Sequence, residues 1–288
     1  MSNHFRAQDE YEKEFVGIVN DLSYTRQKWQ VWEDLITAIS CTISNVLDRE
    51  PERWEKREQL YRDSIHRLGD ANKAARAYAI IVEALENNPD QDFLGSLYMR
   101  LELGSHWHGQ FFTPYSLCHL MAKVQMPDPK AEVEKRGWIS ICDPAIGGGA
   151  MMIAAVTQLR TAGVNYHDHV LFVGQDVDSI AGRMAYIQLS LLGCPGYIVI
   201  ANTLSNPITG NVLCPDIREG QDFWFMPFFF RQSWDIRRRY QVMERVLGLG
   251  RRKEKLQKAQ EAIKQKERYV FFFNFGGAYD TGTIKADC

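Results

Sequence analysis

Apolar residues recur every three to four positions through the first hundred residues, and past Gly104 they gather into short unbroken runs. Between Gln30 and Val46 the residues Trp32, Leu35, Ile36, Ile39 and Ile43 share one helical face. Arg49–Leu68 predicts a charged amphipathic helix in which Pro51 occupies the first turn, where its missing N–H costs nothing. Ala71–Leu85 continues the helical period, Asn87-Asn88-Pro89-Asp90 breaks it, and Asp92 is placed to cap a further helix over Phe93–Leu101. This pattern predicts an all-helical N-terminal domain over residues 1–104.

From residue 105 the pattern changes. Trp138–Cys142, Val170–Gly174 and Tyr197–Ala201 are apolar runs, with helical stretches over Ala150–Arg160 and Ser179–Leu192 between them. Strands that do not alternate with polar residues are buried on both faces, and their alternation with helices predicts a parallel α/β sheet of βαβ crossovers. The aromatic run Phe223–Phe230 and Phe271–Phe273 read as further buried strand, with a base-stacking platform the minority reading. Five strands at most are counted, Tyr269–Phe275 included. The expected divisions are a core over 105–230 and a basic helical segment with a possible final strand over 231–288.

Composition changes this picture in two places. The 288 residues are 45% hydrophobic and 24% charged, ordinary for a globular chain able to bury a core. Cys41, Cys118, Cys142, Cys194, Cys214 and Cys288 form no CxxC pair, which reads as reduced thiols of a cytoplasmic protein. No apolar run approaches the ~20 residues needed to span a bilayer, so no membrane partner is expected. Formal net charge is −2, yet Arg231–Arg268 carries thirteen Lys/Arg against five Asp/Glu. Such a local surplus suits contact with phosphates, and equally a solvated helix laced with ion pairs. His106 and His108 flank Trp107, and His167 and His169 flank Asp168, but neither spacing predicts a metal site.

The candidate chemistry lies at two strand ends. Asp143-Pro144-Ala145-Ile146-Gly147-Gly148-Gly149 joins a strand to a helix, a setting where glycines allow close approach of backbone to a ligand. Asp176 follows the next strand in Gly174-Gln175-Asp176-Val177-Asp178, where a carboxylate can accept both hydroxyls of a ribose. Either acid could instead cap the helix that begins near Ser179.

With these stretches the sequence resembles the N6-adenine DNA methylases of the type I restriction–modification modification-subunit group. Gly109-Gln110-Phe111-Phe112-Thr113-Pro114 is similar to that family's GQFFTP-type motif, and Asp143–Gly149 to its DPAxGxGG-like turn. Gly174–Asp178 is similar to its acidic ribose motif, and Asp92–Tyr98 to its helical lead-in. The resemblance implies a Rossmann-like methyltransferase sheet that binds S-adenosylmethionine (SAM). Thr113 and Pro114 would serve the methionine end, and Asp143, Pro144, Ala145, Gly147, Gly148 and Gly149 the turn. Asp176 would serve the ribose, and Asn202, at a position where the family often has Asp, the adenine.

In this family catalysis resides at a fourth strand ending in Asn-Pro-Pro-Phe or Tyr, which takes up an adenine flipped out of the duplex. No Pro-Pro occurs in the chain. The best positional match is Met226-Pro227-Phe228-Phe229, a degenerate motif without its amide; Asn206-Pro207 is an alternative that follows the third strand too closely. The resemblance further implies DNA as partner, contacted through Arg237, Arg238, Arg239, Arg251, Arg252 and Lys253, with a specificity subunit or other protein supplying target recognition. It implies an adenine-N6 methyltransferase homologue of a restriction–modification or mobile-element system. The competing reading is a catalytically inactive SAM- or DNA-binding subunit with the same fold.

Overall fold

The computed structural model describes residues 3–101, 103, 112–247 and 271–272. Five helices lead: α1 Asn3–Leu22, α2 Lys28–Leu47, α3 Pro51–Leu68, α4 Ala71–Asn87 and α5 Phe93–Arg100. Their ends follow local chemistry. Glu50 accepts the backbone N–H groups of Glu52 and Arg53 at the start of α3, with Pro51 in its first turn, and Gly69 ends that helix at φ 72°. Asp70 and Asp92 cap α4 and α5 through the N–H groups of Lys73 and Gly95.

Two helices, α6 Tyr115–Gln125 and α7 Pro129–Arg136, precede the sheet. Then β1 Ile139–Asp143, α8 Ala150–Thr161, the single turn α9 Tyr166–His169, β2 Val170–Asp176, α10 Ser179–Leu191 and β3 Gly196–Ile200 alternate as the apolar runs predict. Boundaries differ from the expected ones by a residue or two, the usual fraying of element ends. A hairpin, β4 Thr209–Asn211 and β5 Cys214–Asp216, leads to β6 Asp222–Phe225, a 3₁₀ turn Pro227–Phe230 and α11 Gln232–Val246. Strand β7 is Phe271–Phe272.

The five-stranded sheet has the order β6-β3-β2-β1-β7. Strands β1, β2, β3 and β7 are parallel, and β6 runs antiparallel to β3, with Asp222 opposite Ile200 and Phe225 opposite Tyr197. Two expectations need correction. The aromatic run is not one strand: Pro227 lacks the N–H that a ladder requires, and the chain turns there. Nor is the sheet wholly parallel. The final strand, β7, lies beside β1 at the other end of the sheet order from β6.

Side chains alternate between two cores. On one face Ile139, Ile141, Phe172, Ile198 and Trp224 join α8, α10 and the N-terminal helices in a continuous cluster running from Phe15 to Met226. On the other, Cys142, Leu171, Val173, Tyr197, Phe223 and Phe225 pack with Leu213, Phe229 and Trp234. The N-terminal helices therefore share a core with the sheet, and the expected boundary at residue 104 falls outside the described residues. They are also locked to the edge strand. Arg57, fully buried, donates to Asp48 Oδ2 at 2.7 Å, to Ser44 Oγ at 2.6 Å and to the carbonyl of Phe223, while its guanidinium stacks 4.4 Å above the Trp224 ring. Burial raises the Asp48 carboxyl, but hydrogen bonds from Arg53 and Arg57 outweigh it and hold the group below its ordinary range.

Candidate functional site at the carboxyl ends of β1 and β2

The parallel strands end at an open cleft lined by Phe112, Thr113, Asp143, Ala145, Ile146, Gly147, Gly148, Ala150, Met151, Asp176 and Ala181. Open α/β sheets hold ligands in this position, outside the carboxyl ends of adjacent strands. The glycine-rich turn forms its floor. Gly147 and Gly149 adopt φ 55° and 93°, which disfavour any side chain. A Cβ on Gly147 would meet the Phe112 ring at 3.3 Å, and one on Gly149 would press on Ala185 at 3.2 Å. The turn is tied to β2 by the Ile146 N–H to the Gln175 carbonyl at 3.0 Å, and the absence of a side chain on Gly174 makes room for Ile146. Helix α8 begins directly after the turn, so its amide-rich N-terminus faces the cleft.

Two carboxylates set the electrostatics. Asp143 is buried and accepts the Ala145 N–H at 3.0 Å; desolvation, with a further contribution from the charge on Asp176, pushes its pKa up to about 7. Asp176 accepts the Gly147 N–H at 2.8 Å and the Asp178 N–H at 2.9 Å, and burial raises it too. Each bond occupies one lone pair, and a carboxylate has about four acceptor sites, so Asp176 retains capacity for hydroxyl donors. Of the two acids weighed for the cap, it is Asp178 that caps α10, through the N–H groups of Ile180 and Ala181.

Asn202 does not line the cleft. Its Oδ1 accepts the N–H groups of Leu204 and Ser205, a turn the next residue fastens to the glycine-turn segment through Thr203 Oγ1 to the Pro144 carbonyl at 2.5 Å. Pro144 and Gly149 shape the turn, and Pro114 caps α6. The alternative Asn206 spends its side-chain N–H on the Glu219 carbonyl at 3.0 Å, holding the loop before β6.

Met226-Pro227-Phe228-Phe229 is not brought to the cleft. Because β6 is antiparallel, the Met226 N–H reaches the carbonyl of Gly196 at the start of β3. That is four residues from Ile200, about 13 Å at ~3.3 Å per residue. Phe228 packs on His167 just before β2, at 5.0 Å between ring centres. Arg237 and Arg238 belong to this same far end, donating to the carbonyls of Asp168 and Phe229 and stacking on Trp234 and Phe229. Arg239 is 80% exposed and paired with Asp235 at 2.7 Å. Gly109–Phe111, His106, His108, Arg251, Arg252, Lys253 and the flanks of β7 lie outside the described residues.

Sequence reasoning missed the apolar walls: Ile146, Ala150, Met151, Ala181 and the ring of Phe112. Position in the first turn of α8 could have flagged Ala150 and Met151. It also missed the neighbour of β1. Ile141 pairs with Phe271 and Cys142 with Phe272, so β7 runs alongside the strand that delivers Asp143 to the cleft. In the sequence Phe273-Asn274-Phe275 follows.

Among the described residues no group of three or more His, Cys, Asp or Glu could hold a metal; His167 and His169 each bond a backbone carbonyl through Nδ1. No helix of the described residues is long and apolar enough to cross a membrane.

The family model described as N-6 DNA Methylase matches residues 93–223. A 92-residue stretch is 33% identical to the type I restriction enzyme MjaIX methylase subunit of Methanocaldococcus jannaschii, covering 32% of this chain and 15% of that protein. The chain thus matches only a small part of that relative's length. Among solved structures, it is similar to one titled as a class I S-adenosylmethionine-dependent methyltransferase from Listeria monocytogenes (17% identity, 76% of this chain, 67% of that one, TM-score 0.45). It is similar also to a type I restriction–modification methyltransferase subunit from Streptococcus thermophilus (13% identity, 69% and 59%, TM-score 0.37).

Proposed function

We infer that this chain, whose residues 93–223 match the model of the N-6 DNA methylase family, binds SAM in the cleft over Gly147–Gly149 and methylates adenine N6 in DNA. The observation that carries this reading is a buried acid, Asp143, and a half-buried one, Asp176, beside a glycine cradle. Asp143 and Asp176 offer acceptors to a ligand rich in hydroxyl donors and positive charge, and the cradle has room only while Gly147 and Gly149 lack side chains. When bound, SAM supplies an electrophilic methyl group on a sulfonium.

The chain's own residues do the rest. Asp176 accepts from the ribose hydroxyls. Phe112 and Thr113 form the wall at the methionine end, with Pro114 beginning the helix behind them. By its place in the sequence, Asn274 is the residue that would supply the acceptor orienting the target N6 amine. It stands two positions after Phe272 in the sequence, the last described residue of the strand paired with β1, and an aromatic residue, Phe275, follows it directly, without the two prolines of the family motif. An amide oxygen there would hold the amine's hydrogens and direct its lone pair at the methyl group, and nearby Phe275 would stack on the base. Exposed Arg239 and the basic stretch Arg251–Lys253 would lie on DNA phosphates. The Methanocaldococcus relative is named as a subunit, which supports a partner protein as the source of target recognition. The catalytically inactive alternative loses its main argument once Met226 is removed from the site.

The test is a titration with SAM together with transfer of labelled methyl to unmethylated duplex DNA. Asp176→Ala is expected to weaken SAM binding about a hundredfold, two charge-assisted hydrogen bonds being worth ~3 kcal/mol. Asn274→Ala is expected to leave SAM binding within twofold while slowing transfer by about 10²–10³, the usual cost of removing one group preorganised for the transition state. Unchanged affinity in the first variant, or unchanged transfer in the second, would remove the corresponding residue from the site.

A further inference from the structure

One buried amide outside the cleft touches both the glycine turn and the helix that leads into the Phe112 wall. Gln188, fully buried on α10, uses every hydrogen of its side-chain amide: Nε2 donates to the Gly148 carbonyl at 2.9 Å and to Asp92 Oδ1 at 2.8 Å. Its Oε1 accepts the Leu94 N–H at 3.0 Å. Asp92, itself buried, caps α5 through the Gly95 N–H at 3.0 Å. The contact has no slack. A Cβ on Gly95 would strike Asp92 Oδ2 at 2.0 Å, and one on Gly148 would come within 3.8 Å of Gly95 Cα. Helix α5 then carries Tyr98 against Phe112, ring centres 5.1 Å apart, and the Phe112 ring covers Gly147.

We propose that Gln188 is a positioning residue for SAM. It sets α5, and through Tyr98 the Phe112–Thr113 wall, at a fixed distance from the glycine turn, so that the methionine end of the ligand finds its pocket preformed. Two donors and an acceptor are needed at one point, aimed at a main-chain carbonyl, a carboxylate and a main-chain N–H. Among side chains of this length only a glutamine amide supplies that set. A glutamate would place a carboxylate against both the Gly148 carbonyl and Asp92, and an apolar side chain would take away the partners of the Gly148 carbonyl and the Leu94 N–H and one of the donors to Asp92. The proposal rests on the SAM reading above and specifies which part of the ligand depends on this amide.

The experiment compares two ligands on the full chain by calorimetric titration: SAM, and 5′-methylthioadenosine, which keeps the nucleoside but lacks the amino-acid end. Gln188→Met, nearly isosteric, is expected to weaken SAM about tenfold and to leave methylthioadenosine within twofold. Gly95→Ala, which displaces Asp92 from the other side of the network, is expected to show the same selectivity. Thermal melts establish that both variants remain folded. Equal loss for both ligands would mean that Gln188 only supports the fold, and no loss for either would mean that it positions nothing; both results overturn the proposal. If wild-type chain binds neither ligand, the SAM reading itself falls and takes this inference with it. Wild-type binding with unselective variants sinks the positioning role alone.

Discussion

At the carboxyl ends of β1 and β2 a glycine turn and two acids, Asp143 and Asp176, surround open space; at the opposite end of the same sheet Met226, Phe229 and Trp234 are buried in the two cores. Both ends look like candidate sites in the sequence. One has the acidic and glycine motifs, the other an aromatic run followed by arginines. Their physics is opposite. The cleft end spends stability: Asp143 is desolvated with a single backbone donor, and Gly147 and Gly149 sit where side chains are strained. The far end is settled. Its arginines stack on Trp234 and Phe229 and donate to backbone carbonyls, and its rings pack edge-on and stacked. Strain together with space marks a binding site, and satisfied packing marks structure, whatever the composition.

The comparison depends on β6 being held antiparallel at the sheet edge, and the clamp that holds it is the first thing to break. Asp48→Ala removes the buried partner of Arg57, leaving a guanidinium stranded between α2, α3 and the Phe223 carbonyl. Losing one partner of a buried pair costs about 3–5 kcal/mol. Denaturant unfolding is expected to show a loss of that size. SAM affinity of the folded fraction at low temperature should stay within twofold, since no cleft residue touches the clamp. A stability change under 1 kcal/mol, on the scale of an exposed pair, would show that β6 is held by the sheet alone.

A smaller effect tests the claim that the cleft end is strained. The folded pKa of Asp143, about 7, stands above its unfolded value of about 3.9. Between those values the native state binds a proton that the unfolded chain has released. Stability therefore falls as pH rises across that window and is flat above it. Without ligand, the wild-type chain is expected to lose about 2–3 kcal/mol from this group between about pH 5 and about pH 7.5, from 1.36 kcal/mol per unit. Asp143→Asn should remove that slope. Urea titrations at the two pH values measure it, and identical slopes in both proteins would show that the acid is comfortably solvated.

Much of this was legible in the sequence. The capped helices, the three parallel strands, the turn at Asp143–Gly149 and the cap that Asp178 places on α10 all follow from local patterns. What could not be read was strand direction and neighbour. Phe223–Phe225 is as apolar as β3, and an apolar run says nothing about whether it pairs parallel or antiparallel. That orientation decides which end of the sheet Met226 occupies. For the same reason the partner of β1 was not Met226's strand but Phe271–Phe272, some 130 residues later in the chain. Gln188 was equally invisible, since its bonds run to Asp92, Leu94 and Gly148, distant in sequence, and helical period marks it only as buried.

The smallest effect discriminates most finely between the two ends. Met226 is fully buried beside Gly196 and Phe229, and leucine matches its volume closely. Volume-conserving swaps in a core cost less than about 1.5 kcal/mol. Met226→Leu is therefore expected to shift the melting temperature by a few degrees at most, and to leave both SAM affinity and methyl transfer within twofold. If the degenerate motif were catalytic, its thioether would be the only acceptor at that position, and leucine, which has none, would abolish it. A tenfold loss of transfer with SAM affinity intact would return Met226 to the site and require β6 to pair in the opposite direction. An unchanged rate leaves the strand beside β1, and Asn274 after it, as the place to look for the residue that holds the target amine.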